Sequence, residues 1–173
     1  HNAGKLAVTG GKDDTVRIWE TDQTTAQAVL RGHLSAVSVL ALNPGGSILA
    51  SGSVDGTVII WDIKEKRLLK SSKVTFKGGV KSLVFHPNEN FLAVGGEDGS
   101  LNFIDTIEMK PQFKLPSHQK SVSALNFNLK GDLFLSSSDD GKLIVWDWVA
   151  RKQKFVIEIK DPITDFGIHP VRN

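Results

Sequence analysis

The 173-residue sequence contains no cysteine. That excludes a disulfide framework and thiolate metal sites, and it is compatible with a reducing compartment. No uninterrupted apolar run approaches the ~18 residues of a membrane-spanning helix, no run has the pattern of a secretory leader, and no low-complexity tail is present. Neither sign of charge dominates. With 21 Lys and Arg against 19 Asp and Glu the net charge is +2, so no global field selects nucleic acid as a partner. No G-x-G-x-x-G or G-x-x-x-x-G-K-[S/T] string occurs, so nothing in the chain reads as a cradle for nucleotide phosphates. Helical periodicity never lasts longer than one or two turns.

What the sequence does contain is repetition. "TGGKDDTVRIWE" (9–20), "SGSVDGTVIIWD" (51–62), "VGGEDGSLNFID" (94–105) and "SSSDDGKLIVWD" (136–147) share one pattern, and their last-but-one positions are Trp19, Trp61, Ile104 and Trp146. The steps between these are 42, 43 and 42 residues. A second string travels with the first: "VSVLALNP" (37–44), "VKSLVFHP" (80–87), "VSALNFNL" (122–129) and "ITDFGIHP" (163–170). Each unit reads as short β-branched or apolar strands separated by turn signals, with Asp55-Gly56 suiting a tight hairpin. Four antiparallel strands per unit is the arithmetic of a β-propeller blade.

The Trp61-Asp62 ending and the Gly32-His33 pair, with His33 standing 28 residues before Trp61 and His118 28 before Trp146, resemble the WD40-repeat family over essentially the whole chain. The resemblance implies an all-β fold of four-stranded blades, read as a partial propeller of three whole blades plus parts of two others. The expected boundaries are a partial blade 1–31, blades 32–75, 76–115 and 116–158, and the first strand of a further blade at 159–173. WD40 propellers usually have seven blades, so the expectation is a piece of a larger ring whose other blades lie outside this segment. The alternative is that 163–168 pairs beside residues 5–9 and closes a four-bladed ring.

The resemblance also implies a hydrogen-bonded set within a blade: His33, Ser51, Asp55 and Trp61 in one, His118, Ser136, Asp140 and Trp146 in another, and Thr9, Asp13 and Trp19 in the first. Serine, histidine and aspartate together suggest a catalytic triad, but a triad needs an exposed serine beside an oxyanion hole. Ser51 lies mid-strand and the set occurs twice, which fits a structural clamp. The remaining unit carries Phe76, Val94 and Ile104 at the matching positions and keeps only Asp98. Loss of three polar positions together is expected if they are buried and face one another, because a half-satisfied network is worse than a complete or an apolar one.

No other cluster reads as chemistry. His1, His86 and His169 share a turn position where Asn43 and Asn128 stand in other copies, so they are expected to cap turns. As they sit a blade apart, they do not converge as metal ligands do. Asp13-Asp14, Glu97-Asp98 and Asp139-Asp140 each place one carboxylate at a tight turn. Residues 64–81 are basic, carrying Lys64, Lys66, Arg67, Lys70, Lys73, Lys77 and Lys81 against Glu65. That segment suits either an outermost strand with a lysine-blunted edge or an anionic membrane lipid. Some propellers bind phosphoinositides through Phe-Arg-Arg-Gly, but Phe76-Lys77-Gly78-Gly79 lacks the arginine pair. Trp148 could serve as an interface anchor or pack under the "RKQKF" strand.

The resemblance therefore implies a non-enzymatic scaffold for protein or peptide partners within an intracellular multi-protein complex, with no cofactor, no metal and no direct nucleic-acid contact. A phosphoinositide- or anionic-membrane-binding propeller using 64–81 is the alternative. Partner contacts are expected on one end of the disc, from Lys12, Leu34, Val54, Lys77, Glu97, Gln119, Lys120, Asp139 and Lys160.

Overall fold

The structure, a computed structural model, describes residues 5–73, 78–116 and 118–168; His1, Phe76, Lys77 and His169 lie outside them. The first sheet has three strands, β1 (Leu6–Gly10), β2 (Thr15–Glu20) and β3 (Ala26–Arg31). The second has β4 (Val37–Leu42), β5 (Ile48–Ser53), β6 (Thr57–Asp62) and β7 (Arg67–Lys73). The third has β8 (Val80–Phe85), β9 (Phe91–Gly96), β10 (Leu101–Asp105) and β11 (Lys110–Leu115). The fourth has β12 (Val122–Phe127), β13 (Leu133–Ser138), β14 (Lys142–Asp147) and β15 (Lys152–Glu158). All pairs are antiparallel and sequential, and no helix occurs among the described residues.

The four sheets stand side by side in chain order as part of a propeller. Central strands such as β5 and β6 are sandwiched between neighbouring blades and buried on both faces, which is why "TVIIWD" is a continuous apolar run rather than an alternation. Each gap between sheets holds its own core: Val16, Ile18, Leu49 and Trp61 in the first, Ile60, Val80, Leu92 and Ile104 in the second, Phe103, Phe127, Phe134 and Trp146 in the third. The innermost strands touch directly. Ser38 Oγ donates to the Val80 carbonyl (2.5 Å) and Ser82 Oγ to the Val122 carbonyl (3.1 Å). A Cβ on Gly52 would lie 2.5 Å from Val80 Cγ1, so this approach admits only glycine.

The hairpins follow their turn chemistry. Gly56, Gly99 and Gly141 adopt φ of 82°, 83° and 79°, and Asp14 takes the same place in the first sheet at φ 64°, a conformation that aspartate tolerates better than most residues. At the other end, the Asp that ends the repeat string organises the next turn. Asp62, Asp105 and Asp147 Oδ1 accept backbone N–H groups of Glu65, Ile107 and Ala150.

The four-bladed alternative is not what the structure shows. Among the described residues, 162–168 form no strand and do not ladder with Leu6–Gly10, the pairing that a closed ring of four requires; Ile163 N–H donates instead to the Ser138 carbonyl at the end of β13. The first strand of a blade is laddered by the second strand of that blade, and no strand follows β15 among the described residues.

Candidate interaction face

In the second, third and fourth sheets the loop between second and third strands meets the loop entering the sheet at one end of the blade, stitched by backbone bonds. Val54 N–H donates to the Ala36 carbonyl, Asp139 N–H to Ser121 and Glu97 N–H to Gly79. Hydroxyls reinforce this, Ser53 Oγ donating to Ser35 and Ser138 Oγ to Lys120. On this rigid rim Lys12, Leu34, Val54, Glu97, Gln119, Lys120 and Lys160 are exposed and Asp139 is partly buried. Leu34 is 89% exposed, an apolar side chain presented to solvent. Glu97 pairs with Lys81 at 3.5 Å. Lys77 lies outside the described residues.

Beneath the rim sit the polar networks. In the fourth sheet Trp146 Nε1–H donates to Ser136 Oγ (3.0 Å), His118 Nε2 lies 2.8 Å from the same hydroxyl, and His118 Nδ1 lies 3.1 Å from Asp140 Oδ2. A neutral imidazole fixes the direction of the chain: Trp N–H to Ser oxygen, Ser O–H to Nε2, Nδ1–H to carboxylate. Asp140 also accepts the Gln119 and Lys142 amides and so ties the rim to the network.

The second sheet departs from the expected set. Trp61 Nε1–H donates to Ser51 Oγ (2.7 Å) and His33 Nε2 contacts it at 2.6 Å. His33 Nδ1, however, meets Thr57 Oγ1 at 2.7 Å, while Asp55 accepts the Leu34 and Thr57 amides. Thr57 is thus a relay between ring and carboxylate that the sequence reading missed. The signal was available, since the position two after the turn Asp is Thr15, Thr57, Ser100 and Lys142 in the four copies. Lysine cannot relay, so His118 reaches Asp140 directly. In the first sheet Trp19 Nε1–H donates to Thr9 Oγ1 (2.9 Å), and Thr15 Oγ1 and Arg17 both donate to Asp13. Arg17 and Thr15 together hold the Asp13 carboxyl far below its ordinary range.

In the third sheet Val94 and Ile104 are fully buried, as an apolar replacement of the network requires; Phe76 lies outside the described residues. Asn102 is buried there at the position of Ile59 and Ile144, and its Oδ1 has no hydrogen-bond partner among the described residues. Ser51 and Ser136 are 0% exposed, so no substrate reaches either hydroxyl.

Burial lowers the pKa of both His33 and His118; nearby carboxylates, Asp55 for the first and Asp140 for the second, oppose it only in part. For Asp140, burial pushes upward, but the Gln119 and Lys142 amides and the His118 ring outweigh it, leaving its pKa below the ordinary carboxylate range. These signs set the pH response. Unfolded histidines take up protons near about 6.5 while the folded rings resist, so stability falls as pH drops through that range. The carboxylate contribution persists until far lower pH. Thermal melts should show a lower Tm at pH 5.5 than at pH 7.5, with a smaller difference in His118→Gln. An unchanged pH difference in that variant would contradict a neutral buried His118.

Of the two alternatives for Trp148, interface anchor or packed side chain, the structure has the packed one. It is 6% exposed and therefore not a surface anchor. Its ring packs across the third gap against His86, Phe91, Phe103, Phe113 and Phe127, and its Nε1–H donates to Glu89 (3.2 Å). His86 caps its turn as expected, Nδ1 accepting the Asn88 and Glu89 amides while Nε2 meets the Gly131 carbonyl of the next blade. Among the described residues no group of three or more His, Cys, Asp or Glu could hold a metal ion.

A family model described as "WD domain, G-beta repeat" matches four times, at residues 1–20, 24–62, 70–105 and 109–147. Among curated proteins the chain is similar to "Small ribosomal subunit protein RACK1y" of Oryza sativa subsp. japonica, 30% identical over 80% of this chain and 43% of that protein. It is similar to "Apoptotic protease-activating factor 1" of Homo sapiens at 26% identity, over 94% of this chain and 16% of that one. "MST50-interacting protein 11" of Pyricularia oryzae is 27% identical over 84% of this chain and 48% of that protein. The chain thus spans less than half the length of each.

Proposed function

From the premise that this chain belongs to the WD40-repeat family, we propose that it is a non-enzymatic scaffold that docks a protein or peptide on the loop rim at one end of its blades, within a larger intracellular assembly. The rim itself carries this reading. Leu34 and Val54, 89% and 43% exposed, stand among side chains of both signs, a mixture suited to a protein surface rather than a uniform polyanion, and they are held by backbone bonds on a rigid sheet scaffold. The names of two relatives, a small ribosomal subunit protein and an MST50-interacting protein, support assembly with other proteins.

Further blades belong to the same proposal. Phe155 and Ile157 on the open face of the fourth sheet are 49% and 45% exposed, and Val29 on the open face of the first is 45% exposed. Trp19 is only partly buried where Trp61 and Trp146 are 1% exposed. Neighbouring blades would cover these faces.

Affinity capture from cell extract tests the rim. Leu34→Asp with Gln119→Arg should lower capture of the principal partner by about tenfold or more while leaving the thermal melt unchanged, with only a modest effect of added salt. Full capture by that variant would remove the rim from the interface.

A further inference from the structure

We propose a second docking site at the opposite end of the blades: a pocket between the second and third sheets that takes a bulky apolar side chain of a short acidic peptide segment. The cavity there has a volume of about 560 Å³, within the ~300–1,000 Å³ of ligand pockets. Ile48, Ile60, Leu69 and Phe85 supply the apolar part of a mixed wall that also carries Asn43 and Asn90, with the exposed Ile107 at the mouth.

The reason for the opening is legible in the repeat. The residue after the Trp-Asp position fills the first and third gaps between sheets from this end. It is Ile63 in the first gap, 5% exposed among Ile18 and Trp61, and Trp148 in the third. In the second gap the same position is Thr106, which lines the cavity. In this gap a short polar side chain, like Thr21 of the first sheet, stands where the other two gaps hold a large apolar one, and the buried apolar side chain of this turn is instead Met109, 6% exposed.

The rim selects charge. Lys70 lines the pocket, and its ammonium is held across the gap by the Ile107 carbonyl. The preceding turn, at the same end of the second sheet, carries Lys64 and Lys66, and Arg67 opens β7. All three are exposed and without an ion pair among the described residues. Acids share this end, but most are engaged: Asp62 and Asp105 accept turn amides and Glu108 pairs with Lys110. Glu65 sits within the turn, and Glu89 lines the pocket but accepts the Trp148 indole N–H. Cations strung along a turn and strand, leading to one partly apolar hole, match an extended chain with an apolar residue followed by carboxylates. A lipid headgroup would need the cations to converge, and only Lys70 lines the hole.

The probe is a phage-displayed library of random peptides selected on the folded protein. Enriched peptides should pair a bulky apolar residue with adjacent carboxylates and bind less tightly as salt rises. Their affinity should fall about tenfold or more in Thr106→Trp, which plugs the gap, and in Lys66→Glu/Arg67→Glu/Lys70→Glu. It should be unchanged in Leu34→Asp/Gln119→Arg, which separates this site from the rim. All three variants alter exposed or partly buried positions, and their melts serve as the folding control. Failure to enrich such peptides, or equal binding by Thr106→Trp, overturns the proposal. So does flotation on phosphatidylcholine vesicles doped with phosphatidylinositol phosphate that the triple reversal abolishes and Thr106→Trp does not.

Discussion

Trp148→Ala should lower stability by about 3–5 kcal/mol, the range for truncating a buried aromatic. The ring closes the third gap between blades and touches five aromatic residues contributed by both sheets. Its removal leaves a cavity that two rigid sheets cannot collapse, and it strips Glu89 of a hydrogen bond. Trp19→Ala should cost less, because Trp19 is already partly exposed. Urea titration with an unchanged slope and a lower midpoint would report the loss. A change under about 1 kcal/mol for Trp148→Ala, the scale of a surface substitution, would mean that the third gap is not packed as described.

Ser136→Ala should be the most damaging of the conservative network changes. One hydroxyl accepts from Trp146 and donates to His118 at a site with no solvent exposure. Its loss strands both partners at about 1–3 kcal/mol each. The loss should be strongly non-additive with His118→Phe, since the double variant removes one of the stranded groups and copies the phenylalanine of the third unit. Purely additive costs would show that the two side chains do not share a bond. Asp140→Ala should cost more than Asp55→Ala, because only Asp140 meets its histidine directly.

The contrast between Asp140 and Asp55 marks the limit of what the sequence discloses. Strand number, blade order and the membership of His118, Ser136 and Trp146 in one set were legible because a period of about 43 residues superimposes four copies. The Thr57 relay was not read, because a hydroxyl two residues after a turn Asp looks like an ordinary turn residue until its distance to a ring nitrogen is known. Trp148 was ambiguous for a similar reason. Its repeat position holds Thr21, Ile63 and Thr106 elsewhere, and only the packing shows that this position plugs the gap between blades. The missing strand at 163–168 follows from what a string alone conceals: strand propensity is realised only beside a ladder partner.

Deuterium exchange of the protein, alone and saturated with its captured partner, tests the scaffold account most directly. Partner binding at the rim should slow exchange of the amides in 11–14, 32–36, 53–56, 96–99, 118–121 and 138–141, the loops that carry Leu34, Val54 and Gln119. Unchanged exchange in all of those loops, with protection elsewhere, would contradict it.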